Sequence, residues 1–153
     1  MSSSLPSTGR LAGVDFGTVR IGVAVSDARQ TLASPLDNYT RRSKDQDAGF
    51  FRRLVQEEAL VGFVVGLPVH MSGDESQKSQ EARELGKWLA EVTGLPVTFY
   101  DERYSSAIAD EFLALGQLTK KQRQKRRDML AAQVILASYL ESDRTSGDQE
   151  SLG

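Results

Sequence analysis

The chain has 153 residues, 39% of them hydrophobic and 26% charged, with a mean hydropathy of −0.37. This is the profile of one soluble domain able to bury about two thirds of its unfolded surface. The net charge of −2 argues against a general DNA-coating protein, the lack of cysteine excludes disulfides, thiolate zinc sites and cysteine nucleophiles, and no apolar run approaches the ~20 residues of a membrane helix.

Residues 1–9 have neither the basic start nor the apolar centre of a signal peptide and are expected to form a flexible lead-in. A hairpin is predicted from Leu11 to Phe16 and Arg20 to Ser26, then a poorer strand from Thr31 to Tyr39, placed at an edge by Pro35. Ser43 to Leu60 reads as a polar helix with a narrow apolar face of Phe50, Phe51, Leu54 and Val55. The nearly continuous apolar run Val61 to Leu67 predicts a parallel strand covered on both faces.

Asp74 and Gln77 resemble a capping pair for a helix with the stripe Ala82, Leu85, Leu89 and Val92, stopped by Gly94 and Pro96. Val97 to Tyr100 is a further strand. A short helix from about Ser106 to Leu115 follows, then a last helix opened by Thr119 and Gln122 and running to about Leu140. Residues 142–153 read as a loose tail, leaving 10–141 as the single domain. The order β-β-β-α-β-α-β-α-α predicts an α/β fold, a mixed sheet with helices on both faces.

Three acids carry the chemical interest. Asp15 ends the first strand, with apolar residues on both sides and Gly13, Gly17 and Gly22 keeping its surroundings small. Glu102 follows the last strand. Asp128 begins a stripe with Ala131, Ala132, Ile135 and Tyr139 on one helix face. Strand ends and an adjoining helix can converge on one crevice of an open α/β sheet. Three carboxylates without His or Cys suit Mg²⁺ or Mn²⁺, as one ion or two, and such ions assist phosphoryl displacement. The alternative is three unrelated acids, each capping or pairing locally.

Lys120 to Arg127 holds six of the nineteen basic residues and no acid, the pattern of a solvated helix face or arm. Directly before Asp128, Lys125, Arg126 and Arg127 would also suit a phosphodiester backbone. Arg20 and Arg103 could act similarly at closer range, or pair with the neighbouring acids. His70, the lone histidine, reads as a surface polar group and is left out of the catalytic set.

Four segments, Asp15 to Gly22, Val65 to Gly73, Asp101 to Ser106 and Asp128 to Leu136, resemble in order the signatures of the YqgF (RuvX) family. The resemblance spans Arg10 to about Leu140. It implies a ribonuclease H-like fold and a bacterial cytoplasmic nuclease, described both as a Holliday junction resolvase and as a nuclease maturing the 5′ end of pre-16S rRNA. It also matches Asp15, Glu102 and Asp128 to the family's proposed catalytic acids. Symmetric cleavage of a four-way junction would call for a homodimer.

Two rival readings remain. Asp15-Phe16-Gly17-Thr18 resembles the first phosphate loop of sugar kinases and chaperone ATPases, but those close a second, duplicated domain over the nucleotide. A non-enzymatic, nucleic-acid-binding ribosome-assembly factor would use the basic block alone. Nucleotide hydrolysis and metal-dependent cleavage discriminate them.

Overall fold

The computed structural model describes residues 5–68, 77–101 and 129–142. β1 (Arg10–Phe16) and β2 (Arg20–Ser26) form the predicted antiparallel hairpin, with Asp15 opposite Gly22 and Phe16 opposite Ile21. β3 (Ala33–Thr40) pairs antiparallel with β2 and is an edge strand. Pro35 lies opposite Ala24 beside a register shift, where a residue without an N–H costs the ladder least. β3 starts two residues later than the composition suggests. The Asp27 carboxylate holds the preceding loop, accepting from the Thr31 amide at 2.7 Å, the Thr31 hydroxyl at 2.6 Å and the Leu32 amide at 3.0 Å.

α1 (Lys44–Glu58) opens on a capping box in which the Ser43 hydroxyl accepts from the Gln46 amide at 3.1 Å. It ends at Ala59 in the left-handed region, so Leu60, expected as the last helical residue, instead begins β4 (Leu60–Leu67). β4 lies between β1 and β5 (Val97–Asp101), parallel to both. α2 (Gln77–Thr93) connects β4 to β5 and is followed by Gly94 at φ 73°. The strand order is β3-β2-β1-β4-β5. Residues 129–142 form a further helical segment. The expected Asp74 cap, the helix from Ser106 to Leu115, the Thr119 and Gln122 cap and residues 143–153 lie outside the described residues.

Alternating strand residues feed two cores. Ala12, Val14, Val23, Phe63 and Val65 pack with Phe51 and Leu54 of α1 and Leu85 and Leu89 of α2. Leu11, Ala24 and Val64 face the other way and pack with Ala132, Ile135, Leu136 and Tyr139. Helices therefore cover both faces of the mixed sheet. Phe51, fully buried, meets Phe63 and Trp88 edge-on at 6.1 and 6.0 Å between ring centroids. Burying its side chain contributes about 1.5–3 kcal/mol. In the lead-in, Leu5 is buried in the second core, and the Gln30 side-chain amide donates to the Pro6 and Gly9 carbonyls. No helix among the described residues is long and apolar enough to cross a membrane.

Candidate functional site at the end of the central strands

Asp15 lies one residue from the end of β1, on the face of the sheet that residues 129–142 cover. The assignment follows from alternation, because Ala12, Val14 and Phe16 join the α1/α2 core whereas Leu11 joins the opposite one. Gly13 and Asp15 share the Leu11 side. On β2, Gly22 is paired with Asp15 and lies between Ile21 and Val23, both of the α1/α2 core. On β4, Val65 pairs with Val14, so Gly66 is level with Asp15 on the same face, and Gly66 pairs with Tyr100. The row therefore reads Gly22, Asp15, Gly66, Tyr100. A glycine stands on each neighbouring strand, so neither β2 nor β4 places a side chain beside the half-buried carboxylate in this row.

The hairpin tip is closed by an N–H bond from Gly17 to the Arg20 carbonyl at 2.9 Å. A Cβ at Gly17 would stand 2.5 Å from that oxygen, so the turn needs glycine there. Arg41, just past β3, braces the tip from behind. Its amide donates to the Val19 carbonyl at 2.9 Å, and its Nη1 donates to the Gly17 carbonyl at 3.1 Å and, more weakly, to Thr18 at 3.5 Å. Its guanidinium also lies 4.4 Å from the centroid of the Phe16 ring. Sequence reading missed Arg41. The signal for it, a residue opposite the tip, exists only once the β2/β3 register is known.

Of the expected site residues, Asp15 and Arg20 are described, and alternation places the exposed Arg20 on the Asp15 face. Glu102, Arg103, Lys125, Arg126, Arg127, Asp128 and His70 lie outside the described residues. Their described neighbours are Asp101, at the end of β5, and Met129, at the start of the helical segment. Among the described residues, no three His, Cys, Asp or Glu side chains cluster to hold a metal ion.

The fold is ribonuclease H-like. It superposes on Thermus thermophilus RuvC with a TM-score of 0.55 at 15% identity, covering 88% of this chain and 96% of that one. The same RuvC solved with a Holliday junction substrate gives 0.53 at 16% identity, covering 87% and 95%. The fowlpox virus resolvase, solved with Holliday junction DNA, gives 0.55 at 11% identity, covering 87% and 97%.

Residues 9–142 match the family model described as RuvX, Holliday junction resolvase, and the chain belongs to that family. It is 46% identical over 143 residues to a Rhodopirellula baltica protein named "Putative pre-16S rRNA nuclease", covering 94% of this chain and 83% of that one. A Paracoccus denitrificans protein of the same name is 42% identical over 149 residues, covering 97% and 94%. Family and relatives agree on the class of activity: a nuclease, a hydrolase of phosphodiester bonds.

Proposed function

We propose that this chain is a metal-dependent nuclease that processes the 5′ end of pre-16S rRNA in the cytoplasm. Residues 10–141 form its one domain, and Asp15, Glu102 and Asp128 are its catalytic acids. The observation that carries the reading is the row Gly22, Asp15, Gly66, which leaves the positions beside a carboxylate at the end of the central strands without β2 or β4 side chains. A phosphodiester and a small hydrated cation both need room beside the carboxylate.

The choice of the other two acids is supported by their described neighbours. β5 presents Tyr100 on the Asp15 face and Asp101 on the opposite one, and Glu102 is bonded directly to Asp101. The helical segment covers the Asp15 face of the sheet, with Ala132 and Leu136 against Gly13, two residues before Asp15. Asp128 is bonded directly to Met129, the first described residue of that segment.

All three acids are hard oxygen donors without His or Cys, a set that fits Mg²⁺ or Mn²⁺. When bound, such ions lower the pKa of water and offset charge on the phosphoryl oxygens. The chain itself supplies the ligand carboxylates, holds Asp15 on a braced hairpin, and offers Arg20 to the substrate on the same face. Arg103, Lys125, Arg126 and Arg127 supply further cations to the nucleic-acid backbone.

A Holliday junction resolvase is the second reading, favoured by the family description and by the fold shared with RuvC. It requires a homodimer, so that two sites cut symmetrically. Purified protein incubated with pre-16S rRNA fragments and with synthetic four-way junctions, with Mn²⁺ or with EDTA, tests both. Cleavage of the rRNA precursor that stops in chelator and returns with metal is the expected result. Junction cleavage alone would move the assignment to DNA, and cleavage persisting in excess chelator would remove the metal.

A further inference from the structure

Behind the Asp15 hairpin, on the α1/α2 side of the sheet, a cleft of about 280 Å³ is lined by Phe16, Arg41, Lys44, Glu81, Glu84 and Trp88, with Ile21, Asp47 and Leu85. We propose that this cleft takes an unpaired nucleobase of the substrate, flanking the phosphodiester held at Asp15. The proposal rests on the nuclease reading above and adds a base subsite to it.

The lining favours a base over a phosphate. Glu81, Glu84, Leu85 and Trp88 recur at i, i+3, i+4 and i+7 and share one side of α2, flanking the buried stripe of Ala82, Leu85 and Leu89. Both carboxylates line the cleft, Glu81 half-buried and Glu84 exposed at its rim. Neither forms an ion pair among the described residues. Asp47 is already engaged, accepting from the Tyr39 hydroxyl at 2.6 Å and the Arg42 amide at 2.9 Å. Against Arg41 and Lys44, the three carboxylates leave the lining net negative, which disfavours a phosphate, and Glu81 and Glu84 can accept from an amino group on a base edge. The planar guanidinium of Arg41 and the ring of Trp88 offer the flat surfaces that unpaired bases use for stacking.

Position agrees with chemistry. Phe16, in the cleft, is the residue after Asp15, so cleft and carboxylate lie on opposite faces of one strand end. A single strand reaching both passes over the hairpin tip, where Val19 is 60% exposed and offers apolar contact to a sugar. The carboxylates predict preference for a base carrying an amino group, so cytosine should bind better than uracil.

Trp88 is the only tryptophan and reports on the cleft directly. The full chain, kept in EDTA to prevent cleavage, would be titrated with short oligocytidylate, oligouridylate and an abasic ribose-phosphate oligomer of equal charge. We expect oligocytidylate to change Trp88 emission and to bind about tenfold tighter than oligouridylate, while the abasic oligomer leaves the emission unchanged. Glu84→Gln, at an exposed position, should erase the preference for cytosine. An equal emission change with the abasic oligomer, or a cytosine preference that survives both Glu84→Gln and Glu81→Gln, overturns the subsite. Metal-dependent cleavage by the wild-type chain is measured separately. Its presence without base binding sinks only the subsite, and its absence with base binding intact sinks only the nuclease reading.

Discussion

Gly13 and Leu136 are in contact across the sheet–helix interface: a Cβ added to Gly13 would stand 2.7 Å from the Leu136 Cβ and 2.8 Å from the Ala132 carbonyl oxygen. Glycine at this point lets the helical segment sit directly on β1, two residues before Asp15. Gly13→Ala must push strand and helix apart, because neither contacting atom belongs to the free end of a flexible side chain. We expect a loss of about 1–3 kcal/mol, read as a lower urea midpoint. Cleavage measured well below that midpoint should fall as well, since the displaced strand carries Asp15 two residues on.

The proposed site uses Glu102 and leaves out its neighbour Asp101. Asp101 pairs with Leu67 on the α1/α2 side, away from the Asp15 face. Asp101→Asn should therefore cleave at close to the wild-type rate, whereas Glu102→Gln and Asp15→Asn should each lose about a hundredfold or more of kcat. Circular dichroism and thermal melting would verify that all three variants fold. Comparable losses in Asp101→Asn and Glu102→Gln would mean that β5 does not set which acid acts.

Arg41 braces the hairpin with hydrogen bonds to the Gly17 and Thr18 carbonyls and with its stack on Phe16. Arg41→Ala should cost about 1–3 kcal/mol in stability. Lysine keeps the charge but not the planar fork that reaches two carbonyls while stacking. Arg41→Lys should therefore recover only part of the stability, and the order wild type, Lys, Ala in thermal melts tests this.

Asp27 governs an acid limb of stability. Hydrogen bonds from the Thr31 side chain first, then from the Leu32 and Thr31 amides, lower its pKa from 3.8 to about 2. The folded state thus favours the carboxylate. The resulting stabilisation is present above the unfolded value, near pH 4, and is lost as the pH falls through about 2. Asp27→Asn should flatten the pH dependence of the denaturation midpoint between those limits. Direct NMR titration of Asp27 reads the same shift, and a midpoint near 4 would contradict the hydrogen-bonded geometry.

Local pattern reached far into this molecule. The hairpin, the edge position of β3, the doubly covered β4 and the Ala132, Ile135, Tyr139 stripe follow from residue periodicity and from punctuation by glycine and proline, which act over a few residues. Asp15 was legible for the same reason, as a carboxylate at the end of a buried strand among glycines. Leu60 was misplaced because an apolar residue fits the end of a helix or the start of a strand equally well, and only the left-handed turn at Ala59 decides between them. Other features needed the folded sheet. Register alone set Gly66 level with Asp15, brought Arg41 from beyond β3 onto the β1–β2 turn, and turned Asp101 away from the Asp15 face. Each depends on which strand lies beside which, a relation between segments up to tens of residues apart that no local periodicity encodes.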